Sequence, residues 1–94
     1  MIRWGIVGLG KMARHFANAI KETNNAKLIA ISSTRNRNLH SFGDKFEIDS
    51  KFRFEEYNKI IKCPEIDAVY ISTLNNTHFE LIKSCAINKK NILC

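Results

Sequence analysis

Short apolar runs alternate with amphipathic stretches along the chain. The first run predicts a strand over residues 2–7, and the stretch after it repeats its apolar positions at helical spacing, which predicts a helix from residue 11 to about residue 22. A near-continuous apolar run at residues 27–33 is typical of a parallel strand buried on both faces. The apolar face of the first helix consists of Ala13, Phe16, Ala17 and Ile20.

The same alternation continues through the second half of the sequence. Gly43 falls inside a predicted helix, where it costs about 1 kcal/mol relative to alanine. Thr77 and Glu80 have the spacing of a capping box, which predicts that the last helix opens at Thr77. The pattern predicts further helices over residues 38–46 and 55–62, and further strands over residues 51–54, 67–73 and 91–94.

This order of elements predicts the fold class. Strands that alternate with helices indicate an α/β fold with a doubly wound parallel sheet. Right-handed crossovers, together with a glycine-rich turn directly after the first strand, favour the Rossmann strand order 3-2-1-4-5. Because the chain has only 94 residues, we expect residues 1–94 to form one domain.

Composition excludes several classes of function. The formal net charge is +6, but the basic residues are scattered and no RNA-binding motif accompanies them, so we expect no nucleic-acid partner. No apolar run approaches the roughly 20 residues of a membrane span, and the N-terminus does not read as a signal peptide. We therefore expect a cytoplasmic protein without a membrane partner. The 3 cysteines are widely spaced, which predicts neither a disulfide framework nor a metal site.

The motif Gly8-x-Gly10-x-x-Ala13 lies between the first predicted strand and the first predicted helix. Gly8 allows a tight turn, Gly10 allows close approach of a pyrophosphate, and Ala13 allows the helix to pack closely on the sheet. Phosphates then meet the free N–H groups of the helix N-terminus. A glycine turn without a ligand is the alternative. The motif predicts a dinucleotide site with contacts from Gly8, Leu9, Gly10, Lys11 and Met12.

The end of the second predicted strand bears on which dinucleotide binds. An acidic residue there normally holds the ribose hydroxyls of NAD, but Ser33, Thr34 and Arg35 follow this strand without a carboxylate. Hydroxyl and guanidinium groups attract a 2′-phosphate. We therefore predict NADP, with NAD as the alternative, and contacts from Ser33, Thr34 and Arg35, with Arg37 as a further candidate. An ordinary polar loop that caps the second helix would have the same composition.

Four stretches of the chain carry a family resemblance. They are residues 5–13 (GIVGLGKMA), 64–73 (PEIDAVYIST), 75–78 (NNTH) and 91–94 (NILC). The first resembles the opening of the glucose–fructose oxidoreductase/inositol dehydrogenase (Gfo/Idh/MocA) family, and the others resemble its fourth strand, the segment after that strand and its fifth strand. The whole chain is thus similar to the N-terminal Rossmann domain of this family.

The resemblance implies an oxidoreductase that transfers hydride between NADP(H) and a hydroxyl or carbonyl carbon of a sugar-like substrate. Thr73, Leu74 and Asn75 would lie along the crevice at the carboxyl ends of the strands. His78 would flank the nicotinamide side, although it also suits a residue that packs a helix start against the sheet.

The family's catalytic lysine belongs to an E-K-P motif that would follow Cys94. The resemblance therefore implies an incomplete domain with no catalytic residue of its own, inactive alone, and without the sixth strand, the substrate domain and the oligomer surface. The alternative is a stand-alone nucleotide-binding or redox-sensing module without catalysis.

Overall fold

The computed structural model describes residues 1–72 and 75–93, and for residues 75–80 it describes the backbone only. Within these residues, 5 parallel strands form one sheet with the order β3-β2-β1-β4-β5. The predicted α/β class and the predicted order 3-2-1-4-5 are confirmed. The elements are β1 (Ile2–Val7), α1 (Lys11–Lys21), β2 (Ala26–Ser32), α2 (Asn36–Lys45), β3 (Arg53–Phe54), α3 (Tyr57–Ile61), β4 (Ala68–Ile71), α4 (Asn75–Ile87) and β5 (Asn91–Leu93).

Both faces of the sheet are covered. Successive residues of a strand point to opposite faces, so Ile6 and Val7 enter different layers of the core. Ile6 packs with residues of α1 and α2, whereas Val7 packs with residues of α3 and α4. Both side chains are fully buried. The near-continuous apolar character of the strands follows from this double cover.

Aromatic packing fixes the orientation of α1 on the sheet. The Phe16 ring stacks on the Tyr70 ring of β4 with 4.2 Å between centroids, and it meets the Trp4 ring of β1 edge-on at 5.0 Å. Ala13 and Ala17 lie buried against the sheet. The flank of α1 that carries Phe16 therefore faces β4, and the opposite flank faces α2.

The second helix begins earlier than predicted. It starts at Asn36, not at residue 38, because the Arg35 N–H donates to Ser33 Oγ at 3.1 Å and turns the chain into the helix. Gly43 lies inside the helix and leaves room for Arg53, since a Cβ at this glycine would meet the Arg53 side chain. The Arg53 guanidinium donates to the Ile48 carbonyl at 2.9 Å and to the Asp44 carboxylate at 3.0 Å.

The start of the last helix also differs from the prediction. The helix α4 begins at Asn75, so Thr77 lies within its first turn and not at its cap. The capping-box prediction was therefore wrong, because a match to this motif does not by itself determine the residue at which a helix begins.

Arg3 and Asp67 join the amino ends of β1 and β4. The Arg3 side chain donates from Nε and Nη2 to the two carboxylate oxygens of Asp67 at 3.0 and 2.9 Å, and the Asp67 N–H donates to the Arg3 carbonyl at 2.8 Å. The Arg3 N–H also donates to Asp67 Oδ2 at 3.0 Å. The hydrogen bonds that the carboxylate accepts from the Arg3 side chain and backbone lower the pKa of Asp67 from 3.8 to about 2. Both side chains remain partly exposed.

The depressed pKa of Asp67 predicts an acid-sensitive contribution to stability. A carboxylate with a lowered folded-state pKa stabilises the protein above its unfolded pKa, and this contribution is lost as the pH falls from about 4 to about 2. We expect the melting temperature to fall over this window and the fall to be shallower in Asp67→Asn. Thermal unfolding followed by circular dichroism measures this. Glu55→Gln, at an exposed position, should keep the wild-type dependence of the melting temperature on pH. The same dependence in Asp67→Asn would contradict the attribution of this acid sensitivity to Asp67.

Within residues 1–72 and 75–93, no helix has both the length and the apolar character needed to cross a membrane.

Candidate functional site

The carboxyl ends of three neighbouring strands meet around the glycine-rich turn. Val7, the last residue of β1, pairs with Ser32 of β2 on one side and with Ile71 of β4 on the other. The Gly8 N–H donates to the Ser32 carbonyl at 3.0 Å, and the Ser72 N–H donates to the Val7 carbonyl at 2.8 Å. The turn after β1 is therefore held from both sides at the point where the strand order reverses, which is where open α/β sheets bind ligands.

Gly8 and Gly10 are glycines for different reasons. Gly8 has a φ of 90°, a conformation that a residue with a Cβ rarely adopts. Gly10 has an ordinary extended conformation, with a φ of −96° and a ψ of −166°. Among the described residues, a Cβ at Gly10 would have only the Ser72 Oγ nearby, at 3.9 Å. The packing of these residues thus does not require a glycine at position 10, and the open space fits a pyrophosphate that approaches the backbone.

The N-terminus of α1 has features that favour the binding of an anion. Gly10 is its N-cap and forms no side-chain capping hydrogen bond, and the first turn contains no acidic residue. The first N–H groups of a helix have no partner within the helix, and its dipole favours negative charge. Lys11 and Met12 are exposed in this first turn, whereas Ala13 is fully buried, as close packing of the helix on the sheet requires.

The loop after β2 is polar and lacks a carboxylate. Ser33 is 5 % exposed, its N–H donates to the Phe54 carbonyl, and its Oγ accepts the hydrogen bond from the Arg35 N–H. The Ser33 hydroxyl still has its own hydrogen to donate. Thr34 and Arg35 are exposed, and Arg35 is the N-cap of α2. The structure therefore places these residues beside the glycine turn, to which Ser32 is hydrogen-bonded.

The remaining predicted contacts lie after β4. Thr73 and Leu74 fall outside the described residues. Asn75 and His78 lie in the first turn of α4, but their side chains are not among those described. Ser72 was missed by the sequence analysis, although its position directly after an apolar strand is the kind of signal that identified Ser33. Its Oγ lies closest to the space that Gly10 leaves open.

The two cysteines that the structure describes, Cys63 and Cys85, take no part in this site. Cys63 is buried, and burial together with its hydrogen bond to the Glu65 carboxylate at 3.1 Å raises the pKa of its thiol. A raised pKa makes a thiol a poor nucleophile at neutral pH. Cys85 is fully buried in the core. Among the described residues, no group of at least 3 His, Cys, Asp or Glu side chains could hold a metal ion.

Comparisons with known proteins agree with this geometry. Residues 2–94 match the Gfo/Idh/MocA oxidoreductase family, described as having an NAD-binding Rossmann fold. The chain is 32% identical to myo-inositol 2-dehydrogenase of Thermotoga maritima over 93 residues, which cover 99% of the chain and 27% of the relative. The chain thus spans about a quarter of the length of that protein.

Two solved structures that are similar to this chain contain different cofactors. Scyllo-inositol dehydrogenase of Lactobacillus casei, solved with NAD(H) and scyllo-inositol, has a TM-score of 0.89 and 28% identity, over 98% of the chain and 27% of that structure. Biliverdin reductase of Synechocystis, solved with biliverdin and NADP+, has a TM-score of 0.88 and 27% identity, over 97% of the chain and 28% of that structure. The chain therefore belongs to the Gfo/Idh/MocA family of oxidoreductases, as an NAD(P)-binding Rossmann domain.

Proposed function

We propose that this chain is the cofactor-binding part of an oxidoreductase that transfers hydride between NADP(H) and a hydroxyl or carbonyl carbon of a sugar-like substrate. The open space at Gly10 carries the proposal, because no neighbouring atom of the described residues explains the glycine while a bound pyrophosphate does. The inositol dehydrogenases among the relatives support a polyol substrate.

The described residues have defined parts in this proposal. The backbone N–H groups of the first turn of α1 bind the pyrophosphate, and the exposed Lys11 adds a positive charge beside them. Met12 is 59 % exposed and offers an apolar surface against which a planar ring can pack. By the family resemblance, Thr73, Leu74 and Asn75 would lie along the crevice and His78 would flank the nicotinamide side. The nicotinamide supplies hydride chemistry when it is bound.

A preference for NADP over NAD follows from the loop after β2. No carboxylate occurs from Ser33 to Arg37 to accept hydrogen bonds from ribose hydroxyls, and Arg35 and Arg37 are both exposed there. A 2′-phosphate is attracted to guanidinium and hydroxyl groups and repelled by a carboxylate. The Ser33 hydroxyl, which accepts from the Arg35 N–H, would donate its own hydrogen to a phosphate oxygen.

Proton transfer at the substrate is a separate requirement. Hydride transfer needs an acid or a base at the substrate oxygen, held in place together with the cofactor. By the family resemblance, that group is a lysine in a motif that would follow Cys94. We propose that the 94 residues alone bind the cofactor without turning over a substrate.

A fluorescence titration with NADPH and NADH tests the cofactor preference. We expect NADPH to bind with a Kd at least about 10-fold lower than that of NADH, which corresponds to about 1.4 kcal/mol. The exposed position Thr34 offers a matched variant: Thr34→Asp should weaken NADPH and leave NADH unchanged or tighter, because the new carboxylate repels the 2′-phosphate. Addition of myo-inositol and NADP+ should yield no reduced cofactor.

Two results would contradict this proposal. Tighter binding of NADH by the wild-type chain would overturn the cofactor preference. Equal weakening of both cofactors in Thr34→Asp would show that the loop after β2 does not distinguish them.

A further inference from the structure

A basic groove lies between α1 and α2, on the side of the glycine turn away from β4. Its volume is about 250 Å³, and no carboxylate is among the described residues that line it. We call it the α1–α2 groove. Its lining residues are Leu9, Arg14, Asn38, Ser41, Phe42 and Lys45.

The orientation of α1 directs Arg14 into this groove. Phe16 stacks on Tyr70 and so marks the flank of α1 that faces β4. Arg14 precedes Phe16 by two residues, which places it about 200° away around the helix axis, on the flank that faces α2. Arg14 is exposed, and the ion pairs of the described residues use other cations, namely Arg3, Arg53 and Lys59.

The facing side of α2 contributes neutral donors and a second cation. Asn38, Ser41 and Lys45 follow one another at helical spacing along this side, with Asn38 in the first turn and Lys45 at the last residue. The nearby carboxylate of Asp44 is directed elsewhere, because it accepts a hydrogen bond from Arg53 Nη1 at 3.0 Å. The α1–α2 groove is therefore a set of hydrogen-bond donors without an internal anion.

One end of the groove adjoins the cofactor site. Leu9 lies between Gly8 and Gly10 in the turn that would hold the pyrophosphate, and Asn38 lies in the first turn of α2, just after the loop that follows β2. In a Rossmann domain the adenosine ribose lies between these two segments. A substituent on the 2′-oxygen of that ribose would therefore arrive at the Leu9 and Asn38 end of the groove.

We propose that the α1–α2 groove binds the 2′-phosphate of NADP(H) and that Arg14 is a residue that distinguishes it from NAD(H). Arg14 presents two parallel N–H donors to the phosphate, and Asn38 and Ser41 donate from the opposite wall. Arg35, at the N-cap of α2, would approach the same phosphate from the loop after β2. This inference rests on the proposed cofactor-binding function and adds a specificity residue to it.

The test compares Arg14→Gln with Lys21→Gln, using 2′,5′-ADP and 5′-AMP, which differ only in the 2′-phosphate, as probes in isothermal titration calorimetry. Lys21 is the matched control because it lies seven residues after Arg14 on the same helix, about 10 Å along the axis, and its replacement removes the same charge. We expect Arg14→Gln to weaken the binding of 2′,5′-ADP at least about 10-fold and that of 5′-AMP less than about 2-fold. Lys21→Gln should change neither by more than about 2-fold.

Three outcomes would overturn the inference. They are unchanged binding of 2′,5′-ADP in Arg14→Gln, equal weakening of both probes, and an equal effect of Lys21→Gln, which would indicate only a diffuse positive field. Unaltered thermal unfolding of Arg14→Gln checks that the variant folds.

A second readout separates this inference from the proposed function. In NMR spectra of the wild-type chain, 2′,5′-ADP should shift the backbone amides of Leu9, Asn38 and Ser41, whereas 5′-AMP should shift only that of Leu9 among these three. Shifts confined to the first turn of α1 with both probes would leave dinucleotide binding supported and overturn the role of the groove. An absence of shifts with either probe would contradict both proposals.

Discussion

Gly10→Ala should abolish dinucleotide binding while the protein remains as stable as the wild type. The new Cβ would lie 3.9 Å from the Ser72 Oγ, an ordinary contact, and the backbone conformation at Gly10 is one that alanine adopts readily. Alanine restricts the unfolded chain, which favours folding, but it is a poorer N-cap than glycine, so the two effects offset each other. The methyl group instead occupies the space into which a pyrophosphate must come. We expect the Kd for NADPH to rise at least about 100-fold, or about 2.8 kcal/mol.

Gly8→Ala is the variant that separates the two roles of glycine. At a φ of 90° an alanine is strained, so we expect the free energy of unfolding to fall by about 1–3 kcal/mol. Chemical denaturation measures stability and fluorescence titration measures binding, in both variants. A Gly10→Ala protein that still binds NADPH with the wild-type Kd would refute the assignment of this space to the pyrophosphate. Loss of stability in Gly10→Ala would show that the glycine is needed for the fold itself.

The fold could be predicted from the sequence because its main determinants are local. The apolar run at residues 2–7 coincides with β1, and the double cover of the sheet explains why the buried strands read as continuous apolar runs. The start of α2 could not be predicted from periodicity, because it depends on one hydrogen bond from the Arg35 N–H to Ser33 Oγ. A single hydrogen bond of this kind produces no periodic pattern in the sequence.

The candidate site likewise has one part that could be predicted from the sequence and one part that could not. The glycine turn and the end of β2 could be predicted, because a fingerprint and a strand end are both contiguous in the sequence. The position of Arg14 in the α1–α2 groove could not be predicted, since it depends on which flank of α1 faces α2. The stacking of Phe16 on Tyr70 decides that point, and these two residues are far apart in the sequence. Spacing within a helix shows which residues share a face, but tertiary packing shows what that face meets.

Ile60→Ala should be the most destabilising of the single substitutions considered for this protein. Ile60 lies in α3, is fully buried, and packs in the core cluster that contains Val7 and Val69. Truncation of a buried isoleucine to alanine costs about 2–5 kcal/mol, and a domain of this size has a total stability of about 5–15 kcal/mol. We expect a loss of about 3–4 kcal/mol by urea denaturation. Ile87→Ala, at a side chain that is 72 % exposed in α4, is the control and should change stability by less than about 0.5 kcal/mol.

Gly5 provides a second test of the same packing. A Cβ at Gly5 would lie 3.0 Å from Ile60 Cδ1 and 3.2 Å from Ile60 Cγ1, so Gly5→Ala alone should cost about 1–3 kcal/mol through overpacking. Ile60→Ala removes both of these carbon atoms, and the added methyl group then fills part of the cavity. The double variant should therefore be more stable than the sum of the single effects predicts, by about 1 kcal/mol or more. Additive losses would mean that Ile60 does not pack against β1 at Gly5, and the position of α3 on the sheet would have to be revised.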